Sequence, residues 1–353
     1  MKPTDGEACV AGKDDRPMPH IGRRCVRLWL AALLSGAMGF CPVASFAQHP
    51  GARADGAGYR EEDNDASCSA VASPWCTRDD AGRLVSLRRP ARRIVSLAPH
   101  VTELVYAAGG GAWLVGAVNY SDYPPAARTL PRVGGYASID IERIAALHPD
   151  LIVAWRYGNA DRQLDALTAL GIPVFVSEPR HVDDIGTSLR RLGALLGTAS
   201  TANQEAARLE TGFAALRERY ARRSRISVFY QVWTHPLMTL SGRQITSDVI
   251  ALCGGRNVFA DLPGVAPTVS AEAVIAAAPQ AIVAPAAGAT RNGNTAMVTD
   301  WTAWQAWPLL PAVAAGNLFS IDGDLISRPG PRLLDGARLL CEDLDRARRR
   351  LGP

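Results

Sequence analysis

The sequence predicts an α/β protein with two Rossmann-like lobes, a single long rigid α-helix joining them, and a ligand cleft between them. Three observations support this prediction. Short apolar runs alternate with helical spacing from residue 93 onward, which is the order found in parallel α/β sheets. One helical stretch, residues 201–223, is much longer than the others. A helix–turn–strand pattern that begins at Ile141 returns 130 residues later at Ala271, which indicates an internal repeat.

The first lobe is predicted over residues 93–200. Its strands are expected where short apolar runs occur, at 93–97, 114–118, 151–155 and 174–176. Its helices are expected where apolar residues recur at helical spacing, at 100–108, 141–147, 162–170 and 182–196. Because the connections between these segments are short, we expect parallel strands with helices between them.

A single rigid helix between two lobes is the preferred interpretation of residues 201–223. Leu209, Phe213 and Leu216 recur at helical spacing, and Gly212 is the one break in the pattern. The alternative is one more surface helix of a single domain.

The second lobe is predicted over residues 224–353. Strands are expected at 226–232, 281–284 and 317–321. Helices or helical turns are expected at 244–252, 271–278, 301–307, 309–314 and 332–349, with a glycine-rich helix cap at 253–257.

Residues 1–47 are predicted to be a signal peptide. Three arginines within residues 23–27 precede an apolar segment, 28–40, and cleavage is expected after Ala47. The apolar segment is short for a membrane span, so we expect a soluble protein exported to the periplasm. The paired arginines leave general secretion and twin-arginine export as alternatives.

Residues 48–92 are predicted to form a flexible leader followed by a small hairpin. The leader, up to residue 73, is rich in Gly, Ala, Asp and Glu and has few large apolar residues. The hairpin is expected over residues 77–87, with its turn at Asp80, Ala81 and Gly82.

Four cysteines remain after the predicted cleavage, in a compartment that favours disulfides. Four cysteines allow three pairings. The short spacing favours Cys68 with Cys76, which leaves Cys253 with Cys341. A metal site is the alternative, but the sequence has no Cys-x-x-Cys and no histidine beside these cysteines.

Composition and motifs argue against nucleic-acid binding and against catalysis. The formal net charge of +4 is too small to indicate a nucleic-acid partner. The sequence contains no Gly-x-Ser-x-Gly, no phosphate loop and no His-Glu-x-x-His. His148 and His181 are interpreted as surface turn residues, whereas His100 begins a helix near the expected cleft, where ligand contact is an alternative interpretation.

Aromatic and thioether side chains follow several predicted strands. In an open α/β sheet, the loops at the carboxyl ends of the strands line the ligand crevice. Aromatic rings there offer flat contact to a large, partly apolar ligand. These residues are Tyr120, Tyr123, Tyr136, Trp155, Tyr157, Trp233 and Met238. Trp301, Trp304 and Trp307 are instead expected in the core.

The internal repeat aligns residues 141–154 with residues 271–284, so that Glu142 corresponds to Glu272. Both glutamates open a predicted helix. One interpretation is a favourable interaction with the positive end of the helix dipole. The other is a pair of acidic residues that dock on a two-fold symmetric partner. Spacing alone does not choose between them.

Five motifs give the chain a resemblance to a known family. They are Ser121–Pro125, Ile141–Ile144, Pro149–Arg156, Gly158–Gln163 and Cys253–Phe259. From Arg93 to its C-terminal helix, the chain resembles the periplasmic binding proteins that serve ABC importers of iron-siderophores, haem and cobalamin. The first and fourth motifs are characteristic of the cobalamin branch.

The resemblance implies a helical-backbone binding protein without catalytic activity or catalytic cofactor, in which cobalamin (vitamin B12) is the transported ligand. The implied ligand-binding residues are Tyr120, Tyr136 and Trp155 in the first lobe and Met238, Asp324, Leu325, Ile326, Ser327 and Arg328 in the second. Glu142 and Glu272 match the family's acidic residues that meet arginines of a homodimeric permease. Cys253 and Cys341 match its disulfide. A monomer with no nucleic-acid partner is expected.

Two positions depart from the cobalamin branch. Tyr136 and Ala266 each stand where a tryptophan can flank the ligand. Ala266 leaves a related corrinoid such as cobinamide as an alternative ligand. Trp233 or residues 292–297 are candidates to replace the missing surface.

Two further hypotheses differ in the ligand or in the class of protein. A haem or ferric-siderophore binder would use arginines toward an anionic ligand, and Arg156, Arg243 and Arg328 are the candidates. An exported corrinoid enzyme is disfavoured, because the sequence has no Asp-x-His-x-x-Gly motif.

Overall fold

The computed structural model describes residue 68 and residues 73–135, 138–286 and 301–352. The predicted signal peptide and most of the predicted leader lie outside these residues, as do Tyr136 and residues 292–297. Among the described residues, no helix has both the length and the apolar character needed to cross a membrane.

A small antiparallel hairpin precedes the first lobe. Its strands are β1 (Trp75–Arg78) and β2 (Leu84–Leu87), with the expected turn between them. The turn docks on the sheet of the first lobe, where the Asp80 N–H donates to the carbonyl of Val176 at 3.0 Å.

The first lobe is a parallel sheet covered by helices. Its strands are β3 (Ile94–Ser96), β4 (Leu114–Ala117), the two-residue β5 (Gly134–Gly135) and β6 (Ser138–Ile139), β7 (Leu151–Trp155) and β8 (Val174–Ser177). Its helices are α1 (Pro99–Ala107), α2 (Ile141–Ala146), α3 (Asp161–Ala169) and α4 (Val182–Leu196). The four main strands are parallel and lie in the order β4-β3-β7-β8.

Both faces of this sheet are buried because its strands are apolar at successive positions. Ile94 and Val153 pack into the large inner core, whereas Val95 and Ile152 pack into a separate outer cluster. Neighbouring residues of a strand point to opposite faces. A continuous apolar strand is therefore the pattern expected of a parallel sheet with helices on both sides.

The connecting helix α5 (Ala199–Tyr220) is 22 residues long, which corresponds to roughly 33 Å. Its buried residues form one stripe that packs in the core cluster shared by the two lobes: Ala202, Ala206, Leu209, Phe213, Leu216 and Tyr220. A Cβ atom at Gly212 would lie 2.4 Å from the side chain of Leu334. Glycine thus permits close approach between α5 and the C-terminal helix.

The second lobe repeats the architecture of the first. Its strands are β9 (Ile226–Tyr230), β10 (Gly255–Asn257), β11 (Ala281–Ala286) and β12 (Leu318–Asp322). Its helices are α6 (Ile245–Leu252), α7 (Ala271–Ala277), α8 (Thr302–Gln305), α9 (Pro311–Ala314), α10 (Gly323–Ile326) and α11 (Leu333–Leu351). These four parallel strands lie in the order β10-β9-β11-β12. Numbered within each lobe, both sheets have the order 2-1-3-4, which confirms the predicted two-lobed α/β fold.

Three local features differ from the sequence-based expectations. Residues 255–257, expected as part of a helix cap, form β10 beside β9. Residues 323–326 form the short helix α10, where a loop was expected. Trp307, expected in the core, is 48% exposed, whereas Trp304 is buried.

Two disulfides join described residues, one at the hairpin and one in the second lobe. Cys68 is bonded to Cys76 beside the hairpin, across eight residues of sequence. Cys253 is bonded to Cys341 across 88 residues, which ties the end of α6 to α11. The alternative metal site is therefore excluded for these four cysteines.

Candidate functional site

The strand order identifies one crevice in each lobe. It reverses between β3 and β7 in the first lobe and between β9 and β11 in the second. At such a switch point, the loops after the two central strands diverge to opposite faces of the sheet. The crevice outside their carboxyl ends is where ligands of open α/β sheets bind. The candidate site is formed by the loops at these two switch points.

In the first lobe, the buried side-chain amide of Asn159 forms hydrogen bonds to both strands of the switch point. The Asn159 Oδ1 accepts the N–H of Trp155 at 2.8 Å, and its Nδ2 donates to the carbonyl of Leu97 at 3.1 Å. These two backbone groups lie at the carboxyl ends of β7 and β3. Asn159 therefore fixes the position at which Trp155 leaves the sheet.

His100 supports Trp155 from within the lobe. The two rings meet edge to face, with centroids 5.2 Å apart and an angle of 89° between their planes. Burial and the nearby charge of Arg328 lower the pKa of His100 to about 3, so the imidazole is neutral near pH 7. Its Nε2 has no hydrogen-bond partner among the described residues. The buried position makes His100 a packing partner of the Trp155 indole.

Tyr120 and Tyr123 present exposed rings on the loop after β4. Tyr120 is 64% exposed and has a φ of +65°, in the left-handed region that non-glycine residues seldom adopt. The carbonyl of this residue accepts a hydrogen bond from Arg328 at 3.4 Å. The ring of Tyr123 lies under the guanidinium of Arg332, 4.1 Å from ring centroid to Cζ. Residues of the second lobe thus hold both ends of this loop.

In the second lobe, the loop after β9 carries Trp233 and Met238. Backbone hydrogen bonds join these two residues, with the Met238 N–H donating to the Trp233 carbonyl at 3.1 Å. Trp233 is exposed and Met238 is half-buried. Behind the loop, the buried Trp304 donates from Nε1 to the Gln231 side chain at 2.6 Å. Ala266 is half-buried and packs against the core.

The segment from Asp324 to Arg328 occupies α10 and its exit, and its members differ in exposure. Asp324 and Leu325 are half-buried and Ser327 is exposed. Ile326 is fully buried in the core, and its carbonyl accepts from the Thr246 hydroxyl at 3.0 Å. The single helical turn directs the Ile326 side chain inward, and its role as a ligand-lining residue stays a prediction.

Arg328 and Arg332 are bound by carboxylates rather than turned toward an open cleft. Arg328 contacts Glu103 at 2.9 Å, Asp324 at 2.7 Å and Asp122 at 3.4 Å. Arg332 donates to both oxygens of Glu103, at 2.6 and 2.8 Å. Glu103 belongs to α1 and the two arginines belong to the second lobe. The five side chains, named here the ionic cluster, therefore bridge the lobes.

Sequence reasoning did not identify Glu103 as part of the site. Its partner Arg328 lies 225 residues away in sequence, and no periodicity connects them. The available signal was an acidic residue within an apolar helical segment, between Thr102 and Leu104. A charge in such a segment indicates a buried ion pair.

Glu142 and Glu272 occupy equivalent exposed positions in the first turns of α2 and α7. Each helix is capped by the residue two positions before its glutamate. Asp140 accepts the Arg143 N–H at 2.9 Å, and Ser270 accepts the Ala273 N–H at 3.2 Å. Hydrogen bonds from its own backbone N–H and from the Ser270 hydroxyl lower the pKa of Glu272. A helix that returns to a parallel strand begins at the carboxyl edge of the sheet. Both glutamates thus lie at the edge that carries the switch-point loops.

Comparisons with known proteins agree with this architecture. The profile of the periplasmic binding protein family matches residues 94–325. The vitamin B12-binding protein of Yersinia pestis (strain Pestoides F) is 41% identical over 255 residues, which cover 72% of this chain and 86% of that protein.

Solved structures show the same relationship. The periplasmic vitamin B12 binding protein BtuF of Vibrio cholerae is 39% identical, with a TM-score of 0.66 over 73% of this chain and 98% of that one. The periplasmic haem-binding protein RhuT of Roseiflexus sp. RS-1, at 24% identity and a TM-score of 0.63, covers 73% of this chain and 100% of its own and shares the fold. The chain described here belongs to the periplasmic binding protein family.

Proposed function

We propose that this chain binds cobalamin in the periplasm and delivers it to an ABC importer. The observation that carries the proposal is its identity to vitamin B12-binding proteins, which spans nearly three quarters of the chain. The same proteins supply the reason to prefer cobalamin over haem, since the haem-binding relatives resemble this chain in fold alone.

The exposed side chains of the cleft suit a large, flat and partly apolar ligand. Tyr120 and the half-buried Trp155 offer aromatic surface from the first lobe, and Trp233 and Met238 offer surface from the second. A corrin ring with peripheral amides has extensive faces for such contacts and uncharged groups for hydrogen bonds. Tyr136 is proposed as a further ligand contact, and Ser327 as a hydroxyl contact.

Delivery would use the two repeated glutamates. Glu142 and Glu272 are exposed, one on each lobe, at the same sheet edges as the cleft loops. A homodimeric permease in the inner membrane presents each of its sites twice, so two matched acidic residues complement two sets of basic residues. Docking by these residues would direct the cleft toward the transport pathway.

Export to the periplasm fits the covalent structure of the chain. Residues 1–47 are proposed to be removed as a signal peptide. The two disulfides, Cys68–Cys76 and Cys253–Cys341, require an oxidising compartment to form and persist.

Titration of the purified mature protein with cyanocobalamin, cobinamide and haem tests the ligand. We expect micromolar or tighter binding of cyanocobalamin, followed by tryptophan fluorescence or calorimetry. Trp155→Ala is expected to weaken binding by roughly ten- to a hundredfold, since it removes flat contact area. Trp113→Ala is the matched control, because Trp113 precedes β4 at the opposite edge of the sheet. Wild-type protein that binds cobinamide or haem but not cyanocobalamin would contradict the proposal.

The docking residues are tested separately from the ligand. The double variant Glu142→Ala/Glu272→Ala is expected to bind cyanocobalamin normally and to lose stimulation of the reconstituted importer. Glu218→Ala removes an equally exposed acid near the far end of α5 and serves as the control. Loss of ligand affinity with normal transporter stimulation would refute the docking role.

A further inference from the structure

Arg328 and Arg332, the two arginines that contact the aromatic loop, are paired with carboxylates. In the ionic cluster, Arg328 and Arg332 together face three carboxylates, those of Glu103, Asp122 and Asp324. Arg156, a third candidate for contact with an anionic ligand, shares the carboxylate of Glu178 with Arg180, at 3.5 and 2.6 Å.

Glu103 is the central group of the cluster. Its side chain is 2% exposed, and its two oxygens receive hydrogen bonds from both arginines. Arg328 is 11% exposed and lies between Glu103 of one lobe and Asp324 of the other. Because solvent screens buried charges weakly, the carboxylate holds these guanidinium groups strongly.

We propose that Glu103 is a selectivity determinant of the cleft, which binds Arg328 and Arg332 so that the site rejects ligands bearing carboxylates and accepts uncharged, amide-rich ones. This inference rests on the proposed function in one respect, the location of the ligand between the lobes. It names the feature of a ligand that the cleft discriminates, namely the charge of its peripheral groups.

The physical basis is the loss of hydrogen-bond donors that Glu103 would suffer when an anionic ligand binds. To pair with Arg328, a ligand carboxylate must take a donor away from Glu103 or Asp324. A buried carboxylate that loses its partner is strongly destabilised.

An uncharged ligand has no such penalty. Amide groups can be bound by neutral donors and acceptors at the cleft, among them Ser327, an exposed residue whose hydroxyl lies 3.3 Å from the Tyr230 hydroxyl. The Tyr123 ring is held beneath Arg332, and Arg328 binds the Tyr120 carbonyl. The cluster therefore also positions the aromatic loop against which an uncharged ring would lie.

The test compares two ligands that differ in one charge. Cyanocobalamin and its monocarboxylic acid derivative, in which one peripheral amide is replaced by a carboxylate, are titrated against the mature protein at pH 7 and low salt. We expect wild-type protein to favour the amide form at least tenfold. Glu103→Gln preserves shape and removes the charge, so it should reduce this ratio about tenfold.

A second variant should change the ratio of affinities for the amide and carboxylate forms in the opposite direction. Arg332→Gln removes a cation from the cluster and leaves the carboxylates in excess, so it should raise the ratio of affinities. Glu210→Gln is the matched control, since Glu210 of α5 forms a two-bonded ion pair with Arg190 of α4, outside the cleft. It should leave the ratio unchanged. A purely structural role for Glu103 would weaken both ligands equally and leave the ratio at its wild-type value.

Haem and its dimethyl ester extend the test beyond corrinoids. They share one ring and differ in two carboxylates, and Glu103→Gln should improve haem binding relative to that of the ester. Ratios unchanged in Glu103→Gln and Arg332→Gln would overturn the inference. Failure of the wild-type protein to bind cyanocobalamin, with the haem pair still responding as expected, would refute the proposed function alone. A protein that binds neither pair would refute both.

Discussion

The two lobes share one skeleton and differ at the edge that faces the ligand. Their sheets have the same strand order, and their repeated helices have matched caps, Asp140 and Ser270. The switch points, however, are completed differently. Asn159 bridges two backbone groups in the first lobe, whereas Gln231 holds side chains in the second. Backbone geometry and packing constrain the skeleton equally in both lobes, while the loops differ, as expected if they bind the proposed asymmetric ligand.

The ionic cluster shows the same asymmetry in charge. The first lobe supplies the carboxylates of Glu103 and Asp122, and the second supplies both arginines and Asp324. Neither lobe alone would balance these buried charges. The complementary charges of the two lobes thus favour their association in one orientation.

The largest expected difference lies between the two disulfides, one at the hairpin before the first lobe and one within the second lobe. Replacing Cys253 and Cys341 by serine should lower the free energy of unfolding by roughly 4–5 kcal/mol, since an 88-residue closure restricts the unfolded chain strongly. Replacing Cys68 and Cys76 should cost about 2–3 kcal/mol, because eight residues separate them. Urea unfolding followed by circular dichroism measures both values. Equal losses would contradict the chain-entropy explanation.

A smaller difference is expected at the switch points. Asn159→Ala leaves the buried Leu97 carbonyl and Trp155 N–H without their partner, which should lower stability by about 2 kcal/mol. Gln231→Ala interrupts contacts with Trp304 and Thr234, and should cost about 1 kcal/mol. Differential scanning calorimetry gives the two values. A greater loss of stability for Gln231→Ala than for Asn159→Ala would contradict the expectation that the first-lobe switch point is the more strongly stabilised of the two.

The helix caps should behave alike, since their geometry is repeated. Asp140→Ala and Ser270→Ala each remove one acceptor from the first turn and should each cost about 1 kcal/mol. The double variant should show the sum of the two losses, because the caps belong to different lobes. Asp140→Asn and Ser270→Thr retain a capping oxygen and serve as controls. A large excess over additivity in the double variant would indicate that the repeated helices are coupled.

The smallest expected effect is a change in the pH dependence of stability. Burial raises the pKa of Asp343 from 3.8 to about 6, against the opposing charge of Arg346. The folded chain then binds more protons than the unfolded chain between about pH 4 and 6, so this group's contribution to stability declines as the pH rises through that window. Asp343→Asn should flatten the decline, as measured by the unfolding midpoint from pH 4 to 7. A slope identical to that of wild-type protein would exclude Asp343 as its source.

The first lobe offers the contrasting case. Burial also raises the pKa of Asp80 to about 6, although the Glu178 N–H and Arg191 oppose the shift. Arg191 is itself buried, unlike the half-exposed Arg346. Asp80→Asn should therefore destabilise the protein throughout this range, because it leaves a buried guanidinium without its carboxylate.

Sequence patterns predicted the regular elements well because apolar periodicity reports burial directly. The predicted limits of α4, residues 182–196, agree with the structure, and α5 begins two residues earlier than predicted, at Ala199. The strand β10 was missed because Gly255, Arg256 and Asn257 carry no apolar signal. Its pairing with β9 is set by tertiary position, which a local pattern does not contain.

The site was predictable in its location and less so in its contacts. The aromatic loops after β4, β7 and β9 follow from the rule that crevices lie at carboxyl ends of strands. The burial of Ile326 depends on a single helical turn that the sequence did not indicate. The pairing of Glu103 with Arg328 joins residues from opposite lobes. The spacing of residues along the sequence does not indicate such long-range pairings. A resemblance to a family predicts them only where the shared motifs include both partners.

The chain passes from the first lobe to the second through α5, and neither disulfide spans that helix: one closes at the hairpin before the first lobe and the other within the second lobe. In evolutionary terms, this is the arrangement expected when a half-length gene is duplicated and its two copies are fused. A symmetric pair of subunits then becomes one polypeptide with two independently cross-linked halves. Surfaces proposed to meet a symmetric partner, such as the Glu142 and Glu272 helices, would be under pressure to stay alike. Surfaces that share one asymmetric ligand are free to specialise, one toward carboxylates and the other toward arginines.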